Sequence, residues 1–185
     1  MKERHVRVSK FLSLVLRHRP EEVGLTLDRE GWVSVSRLLE ALEAHGRRLT
    51  LDELREVVRS NDKQRFAFSP DGLSIRASQG HSVGVELGYE PLEPPALLYH
   101  GTAERSIASI RERGLLRGRR HHVHLSEQAT TAESVGRRYG RPVILAIASG
   151  AMHADGHLFF RSANGVWLTE HVPARYITFG DDRRR

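Results

Sequence analysis

The sequence predicts an α+β protein made of two small lobes, and three observations carry that expectation. Helical periodicity dominates roughly the first third of the chain. An alternating hairpin and then a stretch rich in Gly and Pro follow it, and beyond that stretch short apolar strands are mixed with helices. At 185 residues the chain has room for one medium domain or two small ones, each near the size at which a single core becomes marginal.

Val8, Phe11, Leu12, Val15 and Leu16 recur at helical spacing and predict an amphipathic first helix. Arg17 projects roughly opposite that stripe and His18 lies on its flank, so neither is forced into the core. On its own, Arg17-His18-Arg19 reads as a cationic helix end favoured by the macrodipole. Pro20 and Gly24 break the chain, and Ser34 or Ser36 can cap a second helix through Val35, Leu38, Leu39 and Leu42, stopped by Gly46. Thr50-Leu51-Asp52-Glu53 is a capping box opening a third helix, with Leu51, Leu54, Val57 and Val58 facing inward.

The hairpin follows. Arg65-Phe66-Ala67-Phe68 alternates, Ser69-Pro70-Asp71-Gly72 supplies turn chemistry, and Leu73-Ser74-Ile75-Arg76 returns. Three helices and a two-stranded ribbon make a winged-helix arrangement, common among nucleic-acid binders. Arg65 sits on the face away from Phe66 and Phe68, open to a ligand or to solvent. Gln79-Gly80-His81-Ser82 reads either as a phosphate-contacting loop or as the exit from the wing. Residues 83 to 95, with Gly84, Gly88, Pro91, Pro94 and Pro95, read as a linker, and the lobes are expected at 1–88 and 89–185.

In the second lobe the apolar run Ala96-Leu97-Leu98 reads as a strand closed by Tyr99-His100-Gly101-Thr102, where Gly101 lets the backbone leave at an angle other residues resist. Such an end offers an imidazole, a close backbone approach and a hydroxyl to a ligand, or is simply an ordinary turn. A helix through Ile107 and Ile110, ended by Gly114, comes next. Arg117, Arg119 and Arg120 then lead into His121-His122-Val123-His124-Leu125-Ser126. Alternation there puts His122, His124 and Ser126 on one face of a strand, with Val123 and Leu125 on the other. That is either half of a ligand site or a half-exposed strand with accidental histidines. Guanidinium groups so near imidazoles favour an anionic ligand. A helix from about Glu127 to Arg138, stopped by Gly140, precedes a buried strand at Val143 to Ala148. Short strands are expected at Phe159-Phe160, Val166-Trp167-Leu168 and Tyr176-Ile177-Thr178-Phe179. There is no GxGxxG, so a nucleotide site would not be of the doubly wound type.

The absence of cysteine removes disulfides, thiolate nucleophiles and zinc ribbons, and fits a reducing, cytoplasmic setting. Phe11 to Leu16 is too short an apolar run to span a membrane and is flanked by arginine on the wrong side for secretion, so neither a signal peptide nor a membrane partner is expected. The formal net charge of +6 points to polyanions. Residues 1 to 90 hold 15 Lys and Arg against 14 Asp and Glu, and the remainder 14 against 9, so the excess lies in the second half. Only three of the 29 basic residues are lysine, from bidentate phosphate recognition or from codon bias. A metal site at His121, His122 and His124 is disfavoured by the neighbouring arginines and by the lack of a carboxylate or cysteine at ligand spacing, and His153 and His157 read as loop residues.

Six ordered strings, LSLVLRH, NDKQRF, QGHS, YHGT, RHHVHLS and FRSANGVWL, resemble those of the NAD-dependent RNA 2'-phosphotransferases over nearly the whole chain. The resemblance implies an N-terminal winged-helix lobe followed by a lobe of the ADP-ribosyltransferase fold. It places the family's essential Arg-His-Arg-Arg set on Arg17, His18, Arg65 and Arg120, with Arg119 as the alternative to Arg120 if the strand register slips. It further implies an NAD pocket lined by His100, Gly101, Thr102, His124 and Ser126, and RNA phosphate contacts from Arg17, His18, Arg65, Arg76, His81 and Ser82. No metal is implied. The implied partner is RNA carrying an internal 2'-phosphate, of the kind left by some forms of tRNA ligation, handled by a monomer.

The reaction so implied has two steps. The 2'-phosphate attacks the nicotinamide ribose of NAD, releasing nicotinamide, and the ribose 2''-hydroxyl then attacks the bridging phosphate. The products are 2'-hydroxyl RNA and ADP-ribose 1'',2''-cyclic phosphate. A phosphate is already an anionic nucleophile, so arginines that orient it and compensate charge suit the first step. In the second step the leaving oxygen needs a proton, which His18 can help supply. Two other outcomes stay open. One is a transferase that stops at capping terminal phosphates of RNA or DNA with ADP-ribose. The other is a non-enzymatic winged-helix nucleic-acid binder, which fits poorly because Leu51 to Ser60 carries Arg55 and Arg59 against Asp52, Glu53 and Glu56. Asp181 to Arg185 read as a disordered end.

Overall fold

The apolar stripe of the first helix and the Pro- and Gly-rich stretch near residue 90 lay out the fold. A computed structural model describes residues 3–61 and 63–180; Asp62 of the NDKQRF string and the Asp181–Arg185 tail lie outside the described residues. The fold is α+β, and the chain divides into two compact units, Met1–Gly88 and Tyr89–Arg185. Among the described residues no helix is long and apolar enough to cross a membrane.

In the first unit α1 (Glu3–Arg17) buries Leu12, Val15 and Leu16 completely. After a single 3-10 turn at Pro20–Val23, β1 (Val33–Ser34) runs straight into α2 (Val35–Ala44). The Ser34 hydroxyl caps α2 by accepting the Arg37 N–H at 3.1 Å. α3 (Leu51–Arg59) opens with both bonds of the capping box: Thr50 Oγ1 accepts the Glu53 N–H at 3.2 Å, and Glu53 Oε2 accepts the Thr50 N–H at 3.1 Å. A cap of this kind stabilises by about 1 kcal/mol. The hairpin strands are β2 (Phe66–Phe68) and β3 (Ser74–Ala77), and β1 joins them in an antiparallel sheet of order β1-β3-β2. The expected two-stranded ribbon therefore has a third strand, pinned also by the Val35 N–H donating to Leu73 O at 2.8 Å. Two expectations are corrected. Leu51, at the first helical position beside its cap, is 36 % exposed while Leu54 and Val57 are fully buried. Leu73 is 68 % exposed because the return strand begins only at Ser74.

The second unit contains β4 (Leu98–Ala103), α4 (Ile107–Arg113), β5 (Leu115–Leu116), β6 (Val123–Leu125) and α5 (Ala129–Gly136). These are followed by β7 (Pro142–Ile147), α6 (Ser149–Ala154), β8 (Phe160–Arg161), β9 (Trp167–Thr169), β10 (His171–Val172) and β11 (Ile177–Thr178). The strands form three small antiparallel sheets of order β11-β7-β4, β6-β9-β8 and β10-β5. Leu98, Leu145 and Ile147 from the first and Leu125 and Trp167 from the second enter one core with Met152 and Phe159.

The structure moves several boundaries here. Tyr99-His100-Gly101-Thr102 is the body of β4, paired along its length with β7 (His100 with Leu145, Gly101 with Ile144), and is neither a strand end nor a turn. Ala96 and Leu97 stand outside it, Leu97 half exposed. The start of β7 is only half buried, so its apolar run marks one covered face and not two. Phe159 precedes β8, and Tyr176 belongs to a single 3-10 turn at Ala174–Tyr176. The pair β5 and β10 and the short α6 have no counterpart in the sequence pattern, because two-residue strands show no period of their own.

Candidate functional site

In the first unit the polar side of α1 carries the candidate residues, because the residues after α3 and those leaving β3 both return to it. Ser9 lies on that side, 5 % exposed, and its hydroxyl accepts the Asn61 Nδ2–H at 2.9 Å. Asn61 Oδ1 accepts from Arg65 Nη1 at 3.2 Å. Arg17 Nη2 donates to the Arg65 carbonyl, also at 3.2 Å. Arg17 does lie opposite the apolar stripe, but that side is covered, so the residue is half-buried and not turned to water. Ser82 then closes the end of the helix. Its N–H donates to the Arg17 carbonyl at 2.9 Å, satisfying a terminal acceptor, and its Oγ lies 2.9 Å from Nδ1 of the exposed His18 ring. Arg17, His18, Arg65 and Ser82 are thus brought together by direct contacts.

Arg76 and His81 are placed differently. The Arg76 guanidinium lies 4.4 Å above the Trp32 ring and donates to Glu30 O at 3.3 Å, on the exposed side of the sheet. His81 is 2 % exposed, with Nε2 only 3.4 Å from where a Cβ on Gly31 would stand. The covered ring packs close to Gly31.

In the second unit the strand alternation appears as read: Val123 and Leu125 are buried while His122, His124 and Ser126 are half-exposed. Tyr99 and Ser126 exchange both backbone hydrogen bonds at 2.8 Å, which brings β4 alongside β6. The His100 Nδ1–H donates to the His124 carbonyl at 3.0 Å. A carbonyl only accepts, so the proton of a neutral His100 sits on Nδ1 and its Nε2 is an acceptor. Burial holds the pKa of His100 below the ordinary value; the carbonyl bond opposes this and the positive charge of Arg120 adds to it. Arg120 Nη1 lies 2.9 Å from His124 Nδ1, and because a guanidinium only donates, that ring carries its proton on Nε2. Arg120, and not Arg119, makes this contact. Burial also lowers the pKa of His122, helped by His121 and Arg117 and opposed by Glu170.

Gly101 and Thr102 are both buried. A Cβ on Gly101 would stand 1.6 Å from the Ala132 carbonyl oxygen, so α5 fills the space on that side. Gly101 is needed for close helix packing on that side of the strand. Among the described residues no group of three or more His, Asp or Glu side chains is placed to hold a metal ion.

The sequence reading did not single out three residues. Asn61 and Ser9 hold Arg65 in place, and the signal was a polar Asn directly after a helix within NDKQRF. Glu127 accepts from Trp167 Nε1 at 2.8 Å and pairs with Arg161 at 3.1 Å, tying the residue after Ser126 to β8 and β9.

The family model described as RNA 2'-phosphotransferase, Tpt1 / KptA family, matches residues 3–171. The chain is 58 % identical over 170 residues to a protein of Pseudomonas aeruginosa, covering 91 % of this chain and 93 % of that one. It is 54 % identical over 170 residues to one of Acaryochloris marina, covering 92 % and 94 %. A third relative, from Streptomyces coelicolor, is 54 % identical over 177 residues and 96 % of both chains. All three are described as "Probable RNA 2'-phosphotransferase". A match that runs from α1 to β10, over chains of nearly equal length, decides the matter: the protein belongs to the RNA 2'-phosphotransferase family of transferases.

Proposed function

We propose that this protein removes an internal 2'-phosphate from RNA with NAD as co-substrate, acting as a cytoplasmic monomer. In this reading the first unit is a winged-helix lobe that holds the RNA phosphate and the second an ADP-ribosyltransferase-like lobe that holds NAD. The observation that carries it is the chain of contacts from Asn61 through Arg65 to Arg17, with His18 and Ser82 beside it. Two guanidiniums, an imidazole and a hydroxyl on a fixed support are the groups that a phosphate monoester requires.

The second unit's donor set suits a dinucleotide. His100 offers an acceptor at Nε2, His124 a donor at Nε2, Ser126 a hydroxyl, and Arg120 a guanidinium suited to a diphosphate. When bound, NAD supplies the ribosyl group to which the phosphate is transferred, so that nicotinamide and ADP-ribose 1'',2''-cyclic phosphate leave and the RNA keeps a 2'-hydroxyl. Arg17 and Arg65 orient the phosphate and hold its charge, which is most of what such a nucleophile needs. Arg120 supplies positive charge within the second unit's own donor set. Protonated His18 hands a proton to the departing RNA oxygen, and Ser82 fixes its ring. Arg76 contacts RNA at the outer edge of the first unit.

The test is one incubation of the protein with NAD and either internally 2'-phosphorylated RNA or end-phosphorylated strands. ADP-ribose 1'',2''-cyclic phosphate and 2'-hydroxyl RNA from the internal substrate support the reading. Stable ADP-ribosyl caps on the end-phosphorylated strands alone would replace it with terminal capping. Duplex DNA binding with no nicotinamide release would replace it with a non-enzymatic binder.

A further inference from the structure

The first unit has a second basic site that the chemistry above does not use. Arg4, Arg7, Arg47 and Arg48 rim a concavity of about 510 Å³ whose apolar floor includes Phe11, Leu12 and Leu42. The site is built. The Arg47 N–H is tied to Leu42 O at 2.8 Å, and its guanidinium lies 3.9 Å from the centre of the Phe11 ring. Arg4 pairs with Glu53 at 2.9 Å and donates to the Arg48 carbonyl at 3.3 Å, which fixes one wall. Arg48 lies 3.6 Å from Glu43. Arg7 and Arg47 have no carboxylate within ion-pair distance among the described residues, although both are exposed. Nearly balanced charge over residues 1 to 90 makes two such cations beside one apolar floor a local feature and not a result of general basicity.

We infer that this concavity grips single-stranded RNA, with a base against the Arg47 guanidinium where it lies on Phe11 and backbone phosphates on Arg7 and Arg47. The planar guanidinium of Arg47, lying on the Phe11 ring, is a surface on which a base can stack, and with Arg7 it supplies charge for the backbone, the two kinds of contact single-strand binders use. Its volume falls in the usual range for a small-molecule site. Arg7 and Arg17 stand on one helix, about 15 Å apart along its axis and roughly 80° apart around it. The floor of the concavity belongs to the apolar stripe opposite Arg17, and Arg7 is the rim residue of this helix turned most toward Arg17, so a strand coming from Arg17 meets the concavity at Arg7. The inference rests on the proposed function for the choice of RNA.

The test uses the full chain and a fluorescent single-stranded RNA without a 2'-phosphate. Arg7→Glu with Arg47→Glu should weaken binding about 10-fold at physiological salt and reduce the log–log salt slope by about 1.4, two lost phosphate contacts on a single strand. Arg29→Glu with Arg55→Glu, an equal charge change at exposed sites elsewhere, should leave binding within about twofold of wild type, as surface charges distant from the contact do. Arg7→Gln with Arg47→Gln should move binding in the same direction by less. In turnover, the Glu pair should raise KM for a long 2'-phosphorylated strand while leaving kcat unchanged, and should not affect a 2'-phosphorylated trinucleotide. Equal weakening by the two Glu pairs overturns the inference, as does displacement of the RNA by an acidic peptide or anionic vesicles at equal charge. Failure of wild type to turn over 2'-phosphorylated RNA would overturn the proposed function while the unmodified-RNA measurement still decides this site.

Discussion

His100 is anchored by a backbone carbonyl and kept neutral by burial, and this makes its protonation a stability term. Its folded pKa lies below the ordinary value of about 6.5. As pH falls below that value the unfolded chain takes up a proton that the folded chain refuses, so stability drops until the folded pKa is reached and is flat below it. His100→Gln keeps a donor and removes the titration. Urea unfolding between neutral and mildly acidic pH should show a shallower loss for the variant, with the remaining slope owed in part to His122, which is shifted the same way. An unchanged slope would mean that His100 is not the group responsible. Arg17→Ala and Arg65→Ala should each lower release of 2'-hydroxyl RNA by about 100-fold or more, the usual cost of removing one preorganised charge contact. RNA that is modified but not released should accumulate. Full turnover in either variant would remove that arginine from the chemistry. At this scale the sequence showed what was local. The Thr50 and Glu53 cap and the alternation of His122, His124 and Ser126 involve neighbours in the chain. Ser9 with Asn61, 52 positions apart, and His100 with the His124 carbonyl, 24 apart, depend on tertiary placement and leave no periodic trace.

Among the elements, β4 and α5 make the closest fit. Gly101 on the strand faces the Ala132 carbonyl, and a Cβ on Gly136 would stand 2.8 Å from the Thr102 carbonyl. Both obstacles are backbone atoms that cannot swing aside. Gly101→Ala should therefore destabilise by roughly 3 kcal/mol, the upper end of what overpacking costs, and shift the urea midpoint of the protein downward. A neutral outcome would show that α5 lifts off β4 without penalty. Gly101 looked like a turn residue in the sequence because glycine serves both purposes. The better signal lay on the partner, where Ala132 and Gly136, four apart, put two small residues on one helix face. Helices of nine residues or more in the first unit were legible from their caps and stripes. The two-residue strands β1, β5 and β10 were not, since each exists only through a partner distant in sequence.

At the scale of the whole molecule the interior is doubled. One core is built from residues between Leu12 and Ala77 and the other from residues between Leu98 and Phe179, with no member in common. The shift from helix-rich to strand-rich patterning, with prolines and glycines between, made this division visible in the sequence. The α+β class followed from it because it needs only periods and breaks, whereas the order of strands within each sheet depends on which distant edges meet. Two separate interiors also partition the chain's tolerance of genetic change. A packing defect and the substitution that refills it by direct contact must lie in one interior, so allele-specific suppressors recovered in a selection for the working protein should cluster in the same half as the defect they repair.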